Sequence, residues 1–408
     1  MELVVQKFGG SSVGTPEKIA HVASRVAQSA AEGRSLVVVV SAMQGETDRL
    51  LGLAGAVAER PSPREVDQLL ATGEQVSAAL LAMALKERNI SAWSMTGGQM
   101  KMRTDGSFSR ARIVNLDRQA VENHLNAGHV VVATGFQGVD DEGNLNTLGR
   151  GGSDTSAVAL AAALRADECE IYTDVEGVFT ADPRICPDAR KIDEISFDEM
   201  MEMASQGAKV LQIRSVELAM NHNVPLRVRS TFSDDPGTLV HSEDDTIEKL
   251  VVRGVSHNKD EVKMTLRQVQ DQPGVAARVF SRLAEAQINV DVIVQNTSMA
   301  GLTDLSFTVG MTDRARSEEI LSTVAQEVGA EGFEVDDCIA KVSIVGVGMR
   351  AHAGVAAKMF EALHQAAVNI QMITTSEIKV TCVIEREQTE TAVQALHEAF
   401  ELAEPSAG

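Results

Sequence analysis

Lys7-Phe8-Gly9-Gly10-Ser11-Ser12 follows the apolar run Leu3-Val4-Val5 and brings together groups that hold an oxyanion. Glycines let backbone N–H groups close on a ligand, serine hydroxyls add donors, and a lysine at a strand end supplies positive charge. The order differs from the common P-loop, where the lysine follows the glycines in Gly-x-x-x-x-Gly-Lys-Ser/Thr. The same residues also suit an ordinary strand-to-helix turn, so the run gains meaning only beside others. Thr147-Leu148-Gly149-Arg150-Gly151-Gly152-Ser153-Asp154-Thr155 is the sharpest of these. Its arginine, a bidentate clamp for carboxylate or phosphate, sits in a glycine-rich loop entering a helix expected over 154–165, whose N-terminus favours an anion. A solvated loop accounts for the glycines but not for the arginine among them.

Three further stretches carry candidate chemistry. Val37-Val38-Val39-Val40-Ser41-Ala42-Met43 reads as a buried parallel strand ending in a serine. Ligands of open α/β sheets bind beyond the carboxyl ends of the strands, which puts Ser41 and Thr47 on the rim that holds Lys7 to Ser12. Either hydroxyl also suits a helix N-cap. Thr72-Gly73-Glu74-Gln75 opens an alanine-rich helix, and Glu74 is either a first-turn acid favoured by the helix dipole or a carboxylate for a substrate ammonium group. Tyr172-Thr173-Asp174-Val175-Glu176-Gly177-Val178-Phe179-Thr180-Ala181-Asp182-Pro183-Arg184 is a strand end followed by a turn-rich loop. Asp174 suits a strand-end cap and Asp182-Pro183 a turn, with an apolar adenine slot as the functional alternative. Lys209, in Gln206-Gly207-Ala208-Lys209-Val210-Leu211, reads locally as part of a solvated helix face.

The elements that must position these residues alternate, from residue 1 to about 245, between β-branched runs and alanine-rich helical stretches, as in an α/β sandwich with a mostly parallel buried sheet. Strands are expected at 3–5, 36–40, 130–133, 170–173 and 226–228, and a helix over 16–31 is opened by Thr15 as N-cap and Pro16 in its first turn. Asp234-Asp235-Pro236-Gly237 is a turn, and the acidic stretch 241–249 reads as a linker. A chain of 408 residues exceeds what one core serves, so two or three domains are expected. The net charge of −21 argues against nucleic-acid or anionic-membrane partners, and one Trp and one Tyr leave no platforms for stacked bases. Cys169, Cys186, Cys338 and Cys382 form no Cys-x-x-Cys pair, and no signal peptide or long apolar segment stands out, so a reduced, soluble, cytoplasmic protein is expected.

Beyond the linker the chain repeats itself. Gly274-Val275-Ala276-Ala277-Arg278-Val279-Phe280 recurs as Gly354-Val355-Ala356-Ala357-Lys358-Met359-Phe360, and Ile288-Asn289-Val290 recurs as Val368-Asn369-Ile370 at the same offset. Each copy reads strand, helix, strand, strand, helix, and the first adds a strand near Glu334, the pattern of a ferredoxin-like βαββαβ unit. The second copy shows no last strand of its own; Leu250–Val255, from ahead of the first copy, is available to cover that edge. Such duplicates serve either as packing modules or as sensors. A glycine at each helix start suits a small carboxylate, and Asn289 and Asn369 offer amides to an amino-acid ligand.

Taken together, KFGGSS at 7–12, VVVVSAM at 37–43, TGEQ at 72–75, GFQG at 135–138, TLGRGGSDT at 147–155, YTDVEGVFTADPR at 172–184 and VPLRVRS at 224–230 resemble aspartate kinases, and the repeats resemble the tandem ACT domains of that family. The resemblance covers essentially the whole chain. It implies an amino-acid-kinase domain over 1–245, a linker over 246–261 with the strand that completes the second ACT unit, a first ACT domain over 262–340 and a second over 341–408. It implies transfer of a phosphoryl group from ATP, with Mg²⁺ bound mainly through the ATP phosphates, to the β-carboxylate of L-aspartate, as the committed step toward lysine, threonine, methionine and isoleucine. Carried over by position, Lys7, Gly9, Gly10, Ser11 and Ser41 fall on the phosphate side, and Thr173, Asp174, Phe179, Asp182, Arg184 and Lys209 on the nucleotide. Thr47, Glu74, Arg150, Gly151, Gly152 and Ser153 correspond to aspartate contacts. Lys7, Lys209 and Asp154 are the implied catalytic set, Asp154 by orienting Lys7 or the metal shell. For an effector, lysine or threonine, the resemblance implies Asp271, Gly274, Val275, Ala276, Asn289, Asp291 and Gln295 in the first copy, and Val355, Asn369, Ile370, Ser376 and Glu377 in the second, within a homodimer or larger homo-oligomer. The rivals are another carboxylate kinase of the same fold, such as an acetylglutamate kinase relative, and an amino-acid sensor with an inactive kinase domain.

Overall fold

The computed structural model describes residues 2–207, 210–242, 251–296 and 301–403, without the side chain of Ala351. The chain forms two compact units, 1–178 with 191–205 and 209–245, and 179–190 with 206–208 and 246–408. The units divide between residues 245 and 246, and two earlier segments, 179–190 and 206–208, are also counted with the second unit.

The first unit is built on an eight-stranded sheet in the order Glu194–Ser196, Thr238–His241, Leu226–Ser230, Glu168–Thr173, Leu3–Phe8, Ser35–Val40, Val130–Thr134, Ala92–Met95. All neighbours are parallel except Leu226–Ser230 and Thr238–His241, which the Asp-Asp-Pro-Gly turn joins as an antiparallel pair. His241 thus ends a strand rather than starting the linker, whose residues 243–250 lie outside the described set. The valine run Val37–Val40 is fully buried, as a strand covered on both faces requires. Register brings the strand ends level: Phe8 stands opposite both Val40 and Tyr172, Val40 opposite Thr134, and Thr173 opposite Ser230. Every loop that leaves these carboxyl ends therefore starts from one rim.

Helix Pro16–Ala31 begins where its sequence signals place it. The Thr15 hydroxyl accepts from the Lys18 N–H at 3.3 Å, and Ile19, Val22, Ala23 and Val26 face the core at helical spacing. A small mixed sheet, Ile113–Asn115, Arg103–Thr104, Gln137–Val139 and Leu145–Thr147, parallel only between its two middle strands, has no counterpart among the expected strands. It is tied to helix Pro63–Leu70 by Asp67, whose buried carboxylate accepts from the N–H groups of Ser109 and Thr147, both at 2.8 Å, and from both hydroxyls. The run Pro63–Glu87 is long and apolar enough to cross a membrane by composition, but half of it is buried inside the protein, as in a core helix.

In the second unit the two copies form two four-stranded antiparallel sheets. The first is ordered Val290–Gln295, Leu302–Gly310, Glu261–Gln270, Gly332–Asp336; the second Gly254–Asn258, Ile339–Val345, Lys379–Glu385, Ile370–Thr375. Strand Gly254–Asn258 pairs with Ile339–Val345, so the edge strand of the second copy precedes the whole first copy in sequence. Val292, Ile339, Met372 and Val383 pack together across the copies. Beside them the ammonium of Lys341, almost wholly buried, is paired with Glu261 at 2.9 Å and with Asp291. The excursion 179–190 is held here by Thr180, which donates to the Leu402 carbonyl at 3.1 Å and accepts from His397 Nε2 at 3.0 Å.

Candidate active site

The rim of the large sheet gathers the glycine-rich loops around Lys7. The Lys7 ammonium meets the Asp154 carboxylate at 2.5 Å, both side chains about one-tenth exposed, so the first and fifth sequence motifs share one ion pair. Asp154 lies in the first turn of helix Gly152–Leu164, where a negative charge also complements the helix dipole.

Residues 9–12 form a tight turn. The Gly9 N–H donates to the Tyr172 carbonyl at 3.2 Å and the Ser12 N–H to the Gly9 carbonyl at 2.9 Å. The N–H groups of Gly10 and Ser11 have no acceptor among the described residues, which leaves two donors for a ligand. At Gly10 a Cβ would stand 3.0 Å from the Ala42 carbonyl oxygen, so a side chain there pushes against fixed backbone. Ser41 is locked on the same rim, its N–H donating to the Phe8 carbonyl at 3.1 Å.

Ala42 is also where Glu74 arrives. Its N–H donates to Glu74 Oε1 at 3.0 Å, while Glu74 Oε2 is buried with no hydrogen-bond partner. Burial pushes this carboxyl up to about 7, against the opposing effect of the Ala42 N–H. A buried oxygen left open in this way calls for a partner that the described residues do not supply.

The third wall is the loop before helix Gly152–Leu164. Gly151 has a φ of +69°, and a Cβ there would lie 2.1 Å from the Gln212 side chain, so only glycine fits on two counts. Ser153 packs against Gly135, whose N–H donates to the Val40 carbonyl at 3.0 Å. Arg150 is exposed and has no ion-pair or hydrogen-bond partner among the described residues. The loop is anchored behind it by Arg214, which donates to the carbonyls of Leu148 and Ala111 at 2.8 and 2.9 Å.

The remaining candidates divide. Thr173 and Asp174 stand on the rim, the Thr173 hydroxyl donating to Asp174 at 3.0 Å, and Thr47 lies in the first turn of helix Glu46–Val57. Phe179, Asp182 and Arg184 belong to the second unit. There Phe179 packs against an apolar cluster, and Asp182 accepts from Arg184 at 2.6 Å. Lys209 lies outside the described residues. In the repeats Gly274 and Gly354 both take a φ of +93° at the start of equivalent helices, while Asp291 is engaged by Lys341. Asp67, Arg214 and Gln212, which hold the site in shape, went unread because each acts on residues far away in sequence.

Known proteins match this arrangement along the whole chain. The sequence pattern of the amino acid kinase family matches residues 2–230, and that of the ACT domain matches 267–323 and 342–400. An aspartokinase of Pseudomonas aeruginosa is 54% identical over 408 residues, covering 100% of this chain and 99% of its own. The chain belongs to the aspartate kinase family. An aspartokinase of Corynebacterium glutamicum is 48% identical over 407 residues, covering 98% of this chain and 97% of its own. Among solved structures, E. coli aspartokinase III in complex with aspartate and ADP (R-state) is 30% identical, with a TM-score of 0.80 over 98% of this chain and 99% of that one. The same aspartokinase with lysine and aspartate (T-state) gives 0.76. As an aspartate kinase the chain is a phosphotransferase with a carboxyl group as acceptor, and its two-part architecture is that of the family.

Proposed function

We propose that this aspartate kinase binds ATP through the Gly9–Ser12 turn and L-aspartate between Glu74 and Arg150, giving 4-phospho-L-aspartate. The observation that carries the reading is the buried, half-satisfied carboxylate of Glu74, beside the exposed guanidinium of Arg150, which has no partner among the described residues. Glu74 receives the α-ammonium and Arg150 the α-carboxylate as a bidentate pair, with Thr47, Gly151, Gly152 and Ser153 closing around the rest. The β-carboxylate is then left to attack.

That carboxylate is already ionised at neutral pH, so the reaction needs no general base. What the protein supplies is alignment and neutralisation of the charge that spreads over the transferred phosphoryl group. Lys7 does this at the turn, and Asp154 holds its ammonium in place. Ser41, Thr173 and Asp174 complete the nucleotide side, with Lys209 as a further contact that the family resemblance implies. Mg²⁺ fits as part of the nucleotide, since the rim offers backbone N–H donors and a lysine to the phosphates rather than a carboxylate cage. When bound it neutralises phosphate charge.

The second unit carries regulation. Lysine or threonine, the products of the pathway this reaction opens, bind at Asp271, Gly274, Val275, Ala276, Asn289, Asp291 and Gln295 in the first copy, and at Val355, Asn369, Ile370, Ser376 and Glu377 in the second. The effector favours a low-activity arrangement within a homodimer or larger homo-oligomer in the cytoplasm. The lysine complex of E. coli aspartokinase III supports a lysine site in this family. Hydroxylamine trapping of acyl phosphate is the test. Hydroxamate forms with ATP and L-aspartate but not with N-acetylglutamate, and its yield falls when lysine, threonine or both are added. No hydroxamate from aspartate overturns the substrate assignment; a yield indifferent to both amino acids overturns the regulation.

A further inference from the structure

A closed ring of contacts stands behind the phosphate turn, and none of its outer members belongs to the motifs. The Lys18 ammonium donates to the Ser11 carbonyl at 2.9 Å and sits 5.6 Å above the centre of the Phe232 ring. Phe232 stacks on His21 at 5.9 Å and 15°. His21 Nε2 donates to the Thr231 carbonyl at 3.0 Å, and the Thr231 hydroxyl meets that of Ser12 at 2.6 Å. The ring thus returns to the residue next to Ser11.

We propose that Lys18, His21 and Phe232 are positioning residues for the ATP phosphates, holding the Ser11–Ser12 peptide so that the N–H groups of Gly10 and Ser11 stay open to the nucleotide. That peptide is pinned from both sides: its carbonyl by Lys18, its N–H by the Gly9 carbonyl. Without the first anchor the plane is held at its N–H alone, and the turn that aims two donors at one anion is less firmly set. Lys18 and His21 are three residues apart on helix Pro16–Ala31 and therefore neighbours on one face. Phe232 follows strand Leu226–Ser230, so the ring couples the turn after the first strand to the end of another. Phe232 is half exposed, which an apolar ring at a rim tolerates when its face is used by a cation.

The inference rests on the reading of residues 9–12 as the ATP turn. Steady-state kinetics of the full chain test it. Lys18→Met and Phe232→Leu each raise KM for ATP about tenfold, the size of one lost charge-assisted hydrogen bond or cation–π contact. KM for aspartate stays within twofold, and Lys18→Arg restores the ATP value. The double variant is scarcely worse than either single one, because one broken link opens the ring. His21→Ala breaks it elsewhere and gives the same split if either first variant folds poorly. Unchanged KM for ATP, or an equal rise in both KM values, overturns the proposal. The underlying reading fails separately: were residues 9–12 not the ATP turn, Lys7→Ala would stay active.

Discussion

Glu74→Gln separates the two things this buried carboxyl does. Its burial lifts it from the ordinary 4.5 to about 7, a difference worth roughly 3 kcal/mol at 1.36 kcal/mol per unit. Because the folded state holds the proton more tightly than the unfolded one, stability is greatest below pH 4.5. It is lost as pH rises to 7, and above 7 the full penalty of a buried charge remains. Glutamine keeps an oxygen for the Ala42 N–H and never ionises. At pH 8 the variant is therefore more stable by up to about 3 kcal/mol, or roughly 5–10 °C in Tm for a domain of this size, while at pH 4.5 the two proteins match. Thermal melting by calorimetry from pH 4.5 to 8 reads the difference. The same variant loses the charge that receives the substrate ammonium, so KM for aspartate rises about 10–100-fold while KM for ATP holds. In the wild type KM for aspartate climbs about tenfold for each pH unit below 7, as the carboxyl takes up its proton. Melting curves that stay parallel across pH, or an aspartate KM flat between pH 7 and 5.5, would refute the reasoning.

Lys7→Ala abolishes turnover and, by leaving Asp154 without its partner, lowers stability by about 3 kcal/mol; Lys7→Ala/Asp154→Asn recovers melting but not activity in a coupled ADP assay. Gly151→Ala forces a Cβ into the Gln212 side chain at a left-handed backbone position, and kcat/KM for aspartate falls at least 100-fold; Gln212→Ala in the same chain restores only part, since the backbone strain persists. Gln295→Ala keeps basal kcat and moves the lysine or threonine inhibition curve to higher concentration. Superimposable curves for variant and wild type remove the first-copy effector site.

The parts of this protein that depend on neighbouring residues are legible in its sequence. Thr15 and Pro16 mark the start of a helix that runs Pro16–Ala31, and the valine run at 37–40 can only be a covered strand. The repeat at a constant offset showed two equivalent units. What stayed hidden depends on meetings between distant segments. Asp67 looks like any acid in a short helix, yet it joins residues 109 and 147. Lys18 and Phe232 carry no mutual signal across more than two hundred residues. The strands of the small sheet are two or three residues long, too short for a period of two to register. In the excursion 179–190, the apolar loop residue Phe179 fitted an adenine slot on pattern, but it packs in the second unit.

Strand Gly254–Asn258 has a history on the ribosome that its position in the finished sheet conceals. Its partner Ile339–Val345 lies about eighty residues later, so at ordinary elongation rates of 5–20 residues per second it waits roughly 4–16 s with an unpaired edge. During that interval the first repeat can form all four of its own strands and leave the waiting segment outside. Ser256, His257 and Asn258 make a poor template for stray pairing, which is the property a strand needs when it must outlast its neighbour's synthesis.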